Sequence, residues 1–428
     1  MGRKIDLSSL SGYRNLVDRT LEKQDEERSR EDVSKEVPFS VGRIVSKVPS
    51  SSGAVAKDAS TRFYLKLLAP ELTEEGITEI AFNNPASHTI FVEKYGRWEE
   101  RPFRIAPANL ETEVGISRLN DDDPPLEDGV QTQANYDYVN SLSVAVAQFN
   151  SSDIKESSPV LSATLPDGER AQFVRPPACL RGHISMTVRR PSLEIRTPES
   201  YREEGFYDEL RPVSNERAGE EELCDLYGKF FNKDCKTEEL RNIRSEFMRR
   251  CVELGRTVVI AGSTGSGKTT YMKALMQYIP TSDRIITIED CPELVYGLPN
   301  HHNQVNLLYP SEAMPGDPIT ATKLMKSCLR MKPDRILLAE LRGGETYDWI
   351  NSVLSGHCGS ITSCHAMNSS AVFDYLAMKT LENPVGRAIP NIKDLIRSVI
   401  DVIVHIQNNR GMRTITEVYF REFNERNN

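Results

Sequence analysis

Residues 257–270 read Thr-Val-Val-Ile-Ala-Gly-Ser-Thr-Gly-Ser-Gly-Lys-Thr-Thr, an apolar run that passes straight into a glycine-rich loop. Thr257 to Ala261 has the texture of a buried strand, and Gly262 to Thr269 fits the spacing G-x-x-x-x-G-K-[ST]. A polyphosphate has to be wrapped by backbone amides, and Gly262, Gly265 and Gly267 let the chain approach it without Cβ clashes. Ser263, Thr264 and Ser266 fill the loop, and Lys268 supplies charge. A helix beginning near Lys268 turns its positive end toward the anion. The Thr269 hydroxyl is placed to ligate Mg²⁺, and Thr270 extends the first turn. The stretch predicts a nucleotide-binding loop in an α/β domain, with ATP and Mg²⁺ as the cofactors.

Outward from the loop, apolar strands alternate with helices from residue 223 onward: Val258 to Ala261, Arg284 to Ile288, Arg335 to Ala339 and Ser360 to Ser363. Such strands mark a parallel sheet buried on both faces. Ile392, Leu395, Ile396 and Val399 form the stripe of a helix packed on that sheet. A hairpin of Val402 to Ile406 and Thr414 to Val418 follows, turning at Asn408 to Gly411.

The amino-terminal part reads differently. Residues 1–58 carry eleven Lys/Arg against ten Asp/Glu and no sustained apolar period, so they are expected to be a mostly disordered tail. Residues 59–192 are expected to form a smaller α/β domain. Its strands include Glu79 to Phe82, Thr89 to Glu93, Glu169 to Arg175 and His183 to Arg190; Asp121 to Gln133 is a polar loop, and Tyr136 to Phe149 a helix. Residues 193–222, acidic and broken by Pro198, Gly205 and Pro212, suit a linker between two domains, the second being 223–428.

Composition narrows the class. The chain of 428 residues exceeds what one core usually serves. It has no apolar stretch near the ~18 residues needed to span a membrane and no signal-peptide core at its start, so a cytoplasmic protein is expected. Eight scattered cysteines without a C-x-x-C pair suggest neither a zinc site nor a disulfide framework. The net charge of −9 argues against a general nucleic-acid binder and for protein partners.

Hydrolysis also needs a carboxylate to order the metal and a group to position water. Asp334 to Glu340 is an apolar strand ending in a carboxylate, which makes Glu340 the candidate for metal and water. Arg284 to Leu294 delivers Glu289, Asp290 and Glu293 at a strand end, and Glu289 is the candidate to polarise the attacking water. His365 follows the strand Ser360 to Ser363 and is the candidate sensor of the γ-phosphate.

These four segments in this order resemble the secretion-ATPase superfamily: a Walker A at Gly262 to Thr269, an Asp box at Arg284 to Leu294, a Walker B at Leu329 to Gly343 and a His box at Gly356 to His365. The run Leu329 to Arg335, with Glu340-Leu341-Arg342-Gly343 and Ser355-Gly356-His357, is similar to the type IV secretion and conjugation traffic ATPases in particular. Thr78 to Asn83 with Trp98 resembles that family's first sheet. Leu165 to Arg170 and Val188 to Ser192 resemble its two arginine-bearing strands.

The resemblance implies a homo-hexameric ring with nucleotide between the domains, in which Arg170 and Arg189 reach across to the phosphates. It also implies secretion-system partners at the inner membrane, with peripheral association there, while the acidic balance predicts no specific nucleic acid. Where many relatives carry an arginine, this chain has Lys332, which loses the planar fork. A pilus or type II secretion motor, or an ATP-gated scaffold with negligible turnover, are the alternative readings.

Overall fold

The computed structural model describes residues 52–107, 116–120, 122–192, 196–210 and 217–427. The expected tail lies outside the described residues up to 51. Helix α1 (Ser52–Leu65) begins within its last part, and the short α2 (Ala69–Thr73) follows.

The first sheet contains β1 (Ile77–Phe82), β2 (Thr89–Lys94) and β3 (Arg97–Pro102), and a two-stranded ribbon of β4 (Arg104–Ile105) and β5 (Arg118–Leu119) stands beside it. Helix α3 (Asp128–Phe149) comes next, then β6 (Val160–Thr164), β7 (Arg170–Val174) and β8 (Ser185–Arg189). The strand order is β3-β2-β1-β8-β7-β6, with every pair antiparallel. Alternation assigns the faces. Ile80, Phe82, Ile90, Val92, Phe173, Met186 and Val188 share a core with Tyr138, Val139, Leu142 and Val146 of α3. The other face carries Glu79, Asn83, Glu93, Gln172 and Thr187, polar yet buried.

Helix α3 starts at Asp128, inside the stretch expected to be a polar loop up to Gln133. Its first turns bury amides instead of apolar groups. Gln131 Nε2 donates to the Ile105 carbonyl at 2.9 Å, and Asn135 Oδ1 accepts from Ile105 N at 3.0 Å. An apolar period cannot register a helix face that is buried through hydrogen bonds.

After α4 (Pro198–Glu203) come α5 (Glu220–Gly228) and α6 (Thr237–Glu253), then β9 (Val258–Gly262) leading into α7 (Lys268–Met276). The rest of the chain alternates: β10 (Ile285–Glu289), β11 (Gln304–Leu308), α8 (Ala321–Cys328), β12 (Arg335–Leu338), α9 (Glu345–Leu354), β13 (Ile361–Cys364), α10 (Ser369–Thr380), α11 (Ile392–Val399), β14 (Val402–Asn409), β15 (Met412–Phe420) and α12 (Arg421–Asn427). These strands form one sheet in the order β11-β10-β12-β13-β9-β14-β15, parallel except for the last strand. Val259, Ile286, Ile336 and Ile403 pack with α8 to α11 on one face, while Val258, Ile285, Leu337 and Val402 pack with α5 to α7 on the other. This is the doubly covered parallel sheet that the apolar strands predict.

The polar face of the first sheet docks on the second sheet at the amino ends of β10 and β12. Arg284, fully buried just before β10, is the hub. It donates to Asn83 Oδ1 at 2.7 Å, Thr187 Oγ1 at 3.2 Å and the Met331 carbonyl at 2.8 Å, and it lies over the Trp98 ring with its Cζ 5.3 Å from the centroid. Burial pulls its pKa down to about 10. Lys332, just before β12, donates to Glu93 at 2.7 Å, and Gln172 donates to Ser327 Oγ at 2.9 Å. The segment after β7 adds to the sheet edge, where Leu308 N donates to the Ala178 carbonyl at 2.9 Å.

Candidate nucleotide site

Open α/β sheets place their sites beyond the carboxyl ends of the strands, and here three adjacent strands, β12, β13 and β9, deliver the groups. The loop after β9 is shaped by its glycines. A Cβ on Gly262 would stand 2.3 Å from the Ile406 carbonyl oxygen of β14, so no other residue fits there. Gly267, with φ of 95°, is the N-cap of α7. Ser266 is fully buried with its hydroxyl unpaired, while Ser263, Thr264, Gly265 and Thr270 are exposed and Thr269 is half-buried.

Lys268 folds back over the loop. Its Nζ donates to the carbonyls of Gly262 at 3.0 Å and Ser263 at 3.2 Å, and it stands 3.4 Å from His365 Nδ1. Burial lowers its pKa, against the pull of Glu340. His365 Nε2 is in turn 2.6 Å from Glu340 Oε1. His365 thus lies between the two, Nδ1 toward Lys268 and Nε2 toward Glu340, whose Oε1 makes no hydrogen bond of good geometry.

The far side of Glu340 is held by Arg342, whose Nε donates to Glu340 Oε2 at 2.7 Å and whose Nη1 donates to Asp290 Oδ2 at 2.6 Å. Burial opposes the charge on Arg342, but these two carboxylates outweigh it and raise its pKa. The result is a chain of contacts, Lys268–His365–Glu340–Arg342–Asp290, across the strand ends. Arg342 and Asp290 are the members that the sequence reading did not assign. Their signal was the Glu340-Leu341-Arg342 spacing, which puts positions 340 and 342 on one side of an extended chain.

Glu289 lies elsewhere. It is fully buried, and its Oε2 accepts from the backbone amides of Glu293 at 2.8 Å and Leu294 at 2.6 Å, while Oε1 accepts from Val295 at 3.1 Å. Burial raises its pKa and the three amides work against that rise. Its carboxylate is turned onto its own following loop. Arg170 and Arg189 are cross-strand neighbours on the docking face of the first sheet, and both are exposed. Arg189 Nε is 3.6 Å from Glu79, the register partner of Glu93, which holds Lys332. The pair therefore sits near the amino ends of β10 and β12, at the opposite end of the sheet from the loop of the same chain.

Comparison with known proteins places this geometry in a family. A family model described as Type II/IV secretion system protein matches residues 235–409. The type IV secretion system protein VirB11 of Brucella abortus is 46% identical over 375 residues, 86% of this chain and 91% of that protein. The chain belongs to the VirB11 family of type IV secretion ATPases. Another relative, the type IV secretion system protein PtlH of Bordetella pertussis, is 33% identical over 379 residues, 87% of this chain and 98% of that protein. The crystal structure of the Brucella suis VirB11 ATPase in complex with sulphate matches with a TM-score of 0.72 and 42% identity, covering 88% of this chain and 100% of that one. The VirB11 match spans both sheets, so the two-domain ATPase architecture is common to them.

Proposed function

We propose that this chain hydrolyses ATP as a ring, a hexamer of identical subunits, and so powers assembly of, or substrate transport by, a type IV secretion system. The observation that carries the reading is the unbroken contact from Lys268 through His365 to Glu340, spanning the ends of three adjacent strands. The loop from Gly262 to Thr270 wraps the phosphates with amides, and Lys268 neutralises them. The loop suits a polyphosphate, with the Ser266 hydroxyl unpaired within it and nothing within 4 Å of the Cβ position at Gly265. The oxygen donors of Thr269 and Glu340 suit a hard cation, and Mg²⁺ held by them would draw charge from the phosphates.

Glu340 orients the attacking water, and His365 carries news of the terminal phosphate to it, being in contact with both Lys268 and Glu340. Glu289, with both oxygens on loop amides, contributes by fixing the segment that presents Asp290. Arg170 and Arg189 complete the charge clamp from a neighbouring subunit, because in their own chain they stand at the wrong end of the sheet. The sulphate in complex with the Brucella suis ATPase has the shape and charge of a phosphate group and supports an anion site in this family. No helix among the described residues is long and apolar enough to cross a membrane. In this reading the ring works at the cytoplasmic face of the inner membrane, peripheral to membrane-embedded secretion proteins.

The test is steady-state ATP hydrolysis against protein concentration for wild type, Lys268→Ala and Glu340→Gln. Specific activity should rise with concentration, and both variants should lose at least about a hundredfold in turnover. Normal hydrolysis by Lys268→Ala removes the phosphate-loop argument. ATP binding without turnover in wild type moves the reading to an ATP-gated scaffold.

A further inference from the structure

The hairpin of β14 and β15 brings a second cation to the phosphate loop. β14 runs parallel to β9 with Ile406 paired to Gly262, so Gln407 to Asn409 project past the sheet alongside the loop. Arg410 and Gly411, both with positive φ, make the two-residue turn, and Gly411 N donates to Asn408 Oδ1 at 2.8 Å. Two contacts tie this tip to the loop. Asn408 Nδ2 donates to the Gly265 carbonyl at 3.4 Å. Arg413 lies across Gly267, where an added Cβ would stand 3.1 Å from Arg413 Cδ and 3.5 Å from its Nε.

Arg413 has no carboxylate partner among the described residues. Its guanidinium rests against the N-cap of α7, where the helix dipole is positive, and Lys268 is the next residue. The guanidinium and the positive end of α7 meet on this flank of the loop, while the Lys268 ammonium is turned toward His365 on the other. Glu340, the nearby carboxylate, is engaged by His365 and Arg342 on the other flank. An exposed guanidinium beside a positive helix end is placed to receive an anion.

The strand order decides which part of the ligand that anion is. In β12-β13-β9-β14-β15, Glu340 and His365 follow β12 and β13 on one side of β9, while Arg413 is on β15, on the other side. A phosphate chain laid over the loop with its terminal phosphate toward Glu340 and His365 runs its nucleoside end toward Arg413. We infer that Arg413 is a nucleotide-binding residue that clamps the α-phosphate end of the bound nucleotide, the end common to ATP and ADP. The inference rests on the reading of the loop as an ATP site.

Calorimetric titration of the full chain with ADP and with a non-hydrolysable ATP analogue, for wild type, Arg413→Lys and Arg413→Ala, tests it. Arg413→Ala is expected to weaken both ligands by the same factor, roughly tenfold or about 1.4 kcal/mol. Arg413→Lys should fall between, and the deficit should shrink as salt is raised. Unchanged affinity for both ligands overturns the inference, as does a loss confined to the triphosphate. If wild type binds neither ligand, the ATP reading fails and takes the inference with it. Melting without nucleotide checks that the exposed substitution leaves the fold intact, and Arg413→Lys alone gives the ADP-to-triphosphate comparison if Arg413→Ala does not fold.

Discussion

Glu79 offers a measurement at the junction of the two sheets. Burial, reinforced by Glu93 beside it, pushes its carboxyl up to about 7 even though Arg189 pulls the other way. Its unfolded value is close to 4.5. The folded protein therefore holds this proton more tightly than the unfolded chain does. The contribution to stability is complete below pH of about 4.5 and is lost as pH rises through about 7. A gap of about 2.5 units at about 1.36 kcal/mol per unit sets a ceiling of about 3 kcal/mol.

Glu79→Gln keeps the shape and removes the charge. Urea unfolding followed by tryptophan fluorescence is a suitable assay, because Trp98 lies on this junction over Arg284. At pH 8.5 the variant should be more stable than wild type by about 1 to 3 kcal/mol, and at pH 4.5 the two should agree within about 0.5 kcal/mol. Taking the difference between the two proteins at each pH cancels the other titrating groups. A difference that stays the same at both pH values refutes the claim that a buried, protonatable carboxyl sits in this interface.

Two further outcomes follow from the packing. Gly262→Ala should weaken ADP binding by at least about tenfold, measured by calorimetry, because its Cβ at 2.3 Å from the Ile406 carbonyl must displace β14 and the hairpin over the loop. Arg284→Ala should cost about 3 to 5 kcal/mol in urea unfolding, since it removes the guanidinium donor to Asn83, Asn303 and Thr187 in a buried interface. A loss under about 1 kcal/mol means that water replaces the guanidinium.

The parallel sheet was legible because Val258, Ile286, Ile336 and Ile361 belong to short runs in which both faces are apolar, a pattern that few other folds demand. The shape of the loop after β9 was legible because Gly262 and Gly267 answer local steric requirements that hold wherever such a loop is built. β11 was not read. Gln304-Val-Asn-Leu-Leu alternates weakly at a sheet edge, and its pairing with β10 depends on residues far away in sequence. The carboxylate cluster after β10 shows the limit at the site. Glu289 and Asp290 are neighbours of one charge, yet one turns inward onto three amides and the other outward onto Arg342. That choice is made by the path of the loop, which composition does not encode. The placement of Arg170 and Arg189 likewise follows from how one sheet docks on the other.

β10 is anchored at both ends. Arg284 fastens its amino end to the first sheet, and at its carboxyl end Asp290 is tied through Arg342 to Glu340. Five residues of extended chain between them span about 16 Å and stretch very little. The strand is a strut: a displacement of Asp290 along its axis is passed to Arg284 and, through the ladders, to β11 and β12. The carboxylate cluster at one end of β10 and the first sheet at the other are thus joined by backbone alone, with no loop between them to take up a shift.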